Sequence, residues 1–103
     1  MRKIEYIVPE QVKDIYVPQN IIDKLLEDCA NLSARERIVF LGNIDGYLCF
    51  SWENESYENT ARYARSPIVS IVDNKGNIER VNVMVSQKIL KKAKLKGIKG
   101  IMD

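Results

Sequence analysis

Two apolar, β-prone runs dominate the centre of the chain. Residues 36–41 (Glu36, Arg37, Ile38, Val39, Phe40, Leu41) and 47–52 (Tyr47, Leu48, Cys49, Phe50, Ser51, Trp52) flank Gly42, Asn43, Ile44, Asp45 and Gly46. An Asp-Gly pair supplies the positive φ angles of a tight reversal, so the sequence predicts a β-hairpin here. An isolated hairpin is marginally stable in water, so the rest of the chain must cover it.

The remaining segments supply strands and helices for that purpose. Residues 2–8 alternate and end at Pro9, which predicts a strand, and residues 13–17 predict a second short strand ended by Pro18. Ile21, Ile22, Leu25, Leu26, Cys29 and Ala30 then recur on one face of an α-helix, with Asp23, Lys24, Glu27 and Asp28 opposite. Pro18 suits the start of that helix. The polar segment 53–64 predicts a short helix or a helical connection closed by Pro67, in which Glu53, Glu55 and Glu58 read as helix-start charges. Residues 68–72 and 78–85 predict a hairpin about the turn 73–76, after which Ser86 caps a last helix. Ile89, Leu90 and Ala93 face inward on it, and Gly97 and Gly100 end it. Ile98, Ile101 and Met102 are left as an apolar tail, which predicts a subunit contact and hence a homodimer or larger oligomer. The expected architecture is a single α+β domain, residues 1–103: a hairpin-built antiparallel sheet or small barrel with two or three short helices.

Composition narrows the chemistry. Of the 103 residues, 46% are hydrophobic and 29% charged, as in an ordinary soluble globular domain rather than a disordered chain. No apolar run approaches the roughly 20 residues that span a bilayer. Glu5 stands where a signal peptide needs its apolar region, so a cytoplasmic location is expected. Cys29 and Cys49 read as buried reduced thiols, with a bridge between the first helix and a strand as the alternative. There is no histidine, which excludes His-based acid–base catalysis, Ser-His-Asp and Cys-His pairs, and most zinc sites. No Gly-rich phosphate loop is present. A non-enzymatic protein with no metal and no cofactor is the expectation.

The charge is divided by position. Residues 1–60 hold eleven acids against six bases, a net −5, and residues 61–103 hold ten bases against three acids, a net +7. The stated +2 therefore conceals a strongly polar molecule. A nucleic-acid face built from Arg62, Arg65, Lys75, Arg80, Lys88, Lys91 and Lys92 follows, because phosphate contact needs only positive charge. Lys88, Lys91 and Lys92 share a helical face. Asn74, Asn77 and Arg80 beside the turn are the candidates for base readout, and Tyr63 for stacking on an unpaired base. The competing reading is a protein-interaction module, a small adaptor or inhibitor such as phages and mobile elements carry. It would use Asp23, Glu27, Asp28, Glu53, Glu55 and Glu58 against a basic partner.

Two stretches share a plan of turn, β-branched strand and amphipathic helix, dividing the chain into units of about 1–52 and 67–103. Ile15-x-Val17-Pro18-x-x-Ile21-x-x-x-Leu25 resembles the strand–proline–helix signature of AbrB-type swapped-hairpin DNA-binding proteins. Asp73-x-x-Gly76-x-Ile78 is similar to the turn that opens such a hairpin, and the order of parts resembles MraZ-type regulators with two units in one chain. The resemblance implies a homodimeric DNA-binding transcription regulator. The family's arginine after the glycine falls on Asp14 in the first unit and Asn77 in the second. A carboxylate at Asp14 repels phosphate, which directs the expected DNA contact to the second half.

Overall fold

The structure, a computed structural model, describes residues 3–54 and 66–98. Five strands, β1 (Glu5–Ile7), β2 (Arg37–Ile44), β3 (Tyr47–Glu53), β4 (Ile68–Val72) and β5 (Ile78–Arg80), form one sheet in sequential order. Among the described residues the α-helices are α1 (Gln19–Leu32) and α2 (Val83–Leu95). The class is α+β, as expected, but the sheet is open and mixed. β1 runs parallel to β2, with Tyr6 opposite Ile38, while every later pairing is antiparallel. A parallel pair needs a long crossover, and α1 lies within it.

The helices cover opposite faces of the sheet. Pro18 and Ile21 of the α1 region share a cavity with Leu48 and Val72, whereas Val85 and Ile89 of α2 share one with Cys49 and Ile71. Adjacent strand residues point to opposite faces, so the three layers are α1, sheet and α2. Both faces are therefore apolar, which explains why β2 and β3 read as continuous hydrophobic runs: Ile38, Val39, Phe40, Leu41, Cys49, Phe50 and Trp52 are all buried. Phe40 and Phe50 pair across the strands with centroids 5.1 Å apart.

The hairpin turn is as expected, with Asp45 at φ 56° and Gly46 at φ 89°. The β2–β3 register slips between Phe40 and Gly42, leaving a bulge at Gly42, which sits at φ 85°. A Cβ there would lie 2.7 Å from Val12 Cγ1, so only glycine lets the 3₁₀ turn Glu10–Val12 pack onto the strand.

Four expectations are corrected. Residues 13–17 are not a strand: Ile15 N–H bonds back to the Val12 carbonyl, and Tyr16 is exposed. These short-range bonds leave no ladder for a partner. The strand expected over 78–85 stops at Arg80, because Asn82 rather than Ser86 caps α2, its side chain accepting from Val85 N–H at 2.9 Å. The cap overrides the β-preference of Val83 and Val85, and Ser86 is buried within the helix. Glu53 ends β3 and is buried rather than starting a helix. Ile98 is 2% exposed and belongs to the core, so it forms no exposed tail. The rest of the helix predicted over 53–64, beyond Asn54, lies outside the described residues, as do Ile101 and Met102. Cys29 and Cys49 are buried, and no disulfide joins them.

Candidate nucleic-acid interface

α2 holds its lysines outward because its other face is fixed inward. Ser86, Ile89 and Ala93, at i, i+3 and i+7, are buried against the sheet. Lys88, Lys91, Lys92 and Lys94 are left exposed, followed by Lys96 at the C-cap, and the helix contains no acid. Lysines in the last turn also complement the negative end of the helix dipole.

The hairpin tip anchors the far end of this face. The Lys92 ammonium pairs with the Asp45 carboxylate, and Lys96 Nζ donates to the Asn43 carbonyl at 3.1 Å. Lys88, Lys91 and Lys94 make no ion pair among the described residues, so these three ammonium groups stand open to solvent counterions.

The other predicted contacts do not join them. Arg80 stands opposite Ser70, on the α1 side of the sheet, and its guanidinium lies 5.4 Å from the centre of the Trp52 ring. That cation–π contact gives Arg80 a packing role. Lys75 is exposed in the β4–β5 turn, whose residues Asp73, Asn74 and Gly76 line a cavity with Pro18 and Ile21. Asn77 is committed to that turn, since its amide nitrogen donates to Asp73 Oδ2 at 3.0 Å and its N–H to Oδ1 at 2.9 Å. These bonds, with one from Lys75 N–H, hold the exposed Asp73 carboxyl below the usual carboxylate range. Arg62, Tyr63 and Arg65 lie outside the described residues. The structure thus gathers Lys88, Lys91 and Lys92 and separates Lys75 and Arg80 from them.

A buried polar group at the opposite end of β3 is absent from the sequence-based site. Ser51 Oγ donates to Glu53 Oε2 at 2.7 Å, and Arg37 lies 3.9 Å from the other carboxylate oxygen. Part of the signal was present, since Ser51 and Glu53 are two apart on a strand and hence on one face. Counting back from the turn would set Ile38 opposite Glu53, and only the one-residue slip at the Gly42 bulge brings Arg37 there. The acids expected to form a docking face are divided in the same way, with Asp23 and Glu27 exposed on α1 and Glu53 buried.

Cys49 lies beneath α2, and burial pushes its thiol up to about 11, so it stays neutral and unreactive. Among the described residues no helix is long and apolar enough to cross a membrane, and no three acids or cysteines converge on a metal-sized site. No family model, curated protein or solved structure matches the chain.

Proposed function

We propose that the protein is a non-enzymatic DNA-binding module of the transcription-regulator kind that holds the phosphate backbone on the outer face of α2. The observation that supports this is the exposed set Lys88, Lys91 and Lys94 on a helix without acids, with Lys92 and Lys96 tied to the hairpin tip. A helix presenting several ammonium groups along one surface binds by counterion release and tolerates sequence. The likeness of residues 15–25 and 73–78 to AbrB-type regulators points the same way. With Asn77 bonded to Asp73 and Arg80 held over Trp52, base readout contributes little, so affinity comes from phosphate contact. An electrophoretic shift with a duplex at low salt tests this: the wild type retards the DNA, and Lys88→Gln, Lys91→Gln and Lys94→Gln together abolish the shift. Retardation unchanged by those substitutions rejects the reading.

The second reading rests on α1, whose exposed Asp23 and Glu27 lie on the opposite layer from the lysines. Exposed acids on one helix steer basic protein partners. Under this reading a basic protein is captured and lost when Asp23→Lys and Glu27→Lys are introduced.

A further inference from the structure

A cavity of about 180 Å³ lies between α2 and the tip of the β2–β3 hairpin. Ile44, Cys49, Ile71 and Ile89 line it as apolar walls, with Tyr47 and Val85 at half-exposed positions. Its charged lining consists of Lys88, Lys92 and Asp45. Drug-sized pockets run to about 300–1,000 Å³, so this one suits a smaller guest. A cavity of about 150 Å³ in another protein holds benzene, which sets the scale at one ring or a short acyl chain.

Charge then selects among such guests. Asp45 is already satisfied by Lys92, which leaves Lys88 as the lining charge without an ion pair among the described residues. The Cys49 thiol is hydrogen-bonded to the Ile44 and Tyr47 carbonyls, so the wall beneath adds no charge of its own. An apolar chamber with one uncompensated ammonium at its rim matches a guest with an apolar body and one negative end. From this arrangement we infer that the cavity is a binding site for a small amphipathic monocarboxylate, its ring or chain against Ile44, Ile71 and Ile89 and its carboxylate on Lys88 Nζ. The site shares Lys88 with the nucleic-acid reading but needs no polymer, and it stands or falls separately from that reading.

Titration of the full chain with benzoate, followed by amide chemical shifts, tests the assignment, with benzyl alcohol and benzylamine as probes of equal shape and different charge. Benzoate produces saturable shifts clustered at Ile44, Cys49, Ile71 and Ile89, and binds at least about threefold more tightly than the alcohol, as an exposed charge contact allows. Lys88→Gln removes that preference while leaving the shift pattern in place. Val85→Glu, an exposed change at the rim in the first turn of α2, where an acid suits the helix dipole, abolishes benzoate binding without unfolding the protein. Equal response to benzoate and benzyl alcohol, no saturable shift at these residues, or shifts at surface lysines alone overturns the inference.

Discussion

Replacing Gly42 with alanine tests how the hairpin tip is placed against α2. Two costs can be worked from the structure. Gly42 sits at φ 85°, and an L-residue in the left-handed region costs roughly 1–2 kcal/mol. The added Cβ also meets Val12 Cγ1 at 2.7 Å, and Val12 is buried and cannot swing clear. Overpacking of this kind costs about 1–3 kcal/mol. Gly46 is the internal control, because it has φ 89° but nothing within 4 Å of its would-be Cβ. Gly46→Ala therefore bears the strain alone. Thermal unfolding followed by circular dichroism should place Gly42→Ala about 10 °C below Gly46→Ala, from about 2 kcal/mol of steric cost at roughly 4–8 °C per kcal/mol. In the double variant Val12→Ala, Gly42→Ala, the combined loss should fall short of the sum by about 1–3 kcal/mol, since the clash is gone. Equal melting of the two glycine variants, or strict additivity with Val12→Ala, would refute the packing account of the bulge.

Three further outcomes follow from the polar groups. Glu53→Ala should destabilise the fold by about 3 kcal/mol in chemical denaturation, because it strands Arg37 and the Ser51 hydroxyl, and a loss under about 1 kcal/mol contradicts the pairing. Asp73 has its folded pKa depressed, so its contribution is present above the unfolded value of about 4 and fades as pH falls through the lower folded value. Carboxyl NMR should place its midpoint below 3.8, and Asp73→Asn should flatten the loss of stability in acid. Native Cys49, with its thiol near 11, should react with a polar thiol reagent at pH 8 about two hundredfold more slowly than an ordinary cysteine of pKa about 8.5, by thiolate fraction alone. Site-resolved mass spectrometry measures that ratio, and comparable labelling of the native and unfolded chains contradicts burial of the thiol.

Local signals made part of this fold legible. The spacing Ile21, Leu25, Cys29 identified α1, and Asp45-Gly46 identified the β2–β3 hairpin, because both depend on neighbours in sequence. β1 pairing parallel to β2 was not legible, since the choice of partner is made across the α1 crossover. Residues 13–17 carry strand-like side chains, yet Val12 is drawn to the gap above Gly42 and the backbone bonds locally. At α2 two capping residues competed, and Asn82 prevailed over Ser86, lengthening the helix by a turn. The lysine face was readable from helical spacing. The removal of Arg80 to the other layer was not, because it depends on the β4–β5 register that sets Arg80 opposite Ser70 and over Trp52.

Phosphate contact by the lysines of α2 is tested most directly by the salt dependence of duplex binding, measured by fluorescence anisotropy. Three phosphate contacts, from Lys88, Lys91 and Lys94, give a slope of roughly −2.7 in log K against log salt, or about fortyfold weaker binding between 50 and 200 mM. Lys91→Gln alone should make that slope shallower by about 0.9. Binding that ignores salt, or a slope left unchanged by Lys91→Gln, would contradict a phosphate-holding face on α2.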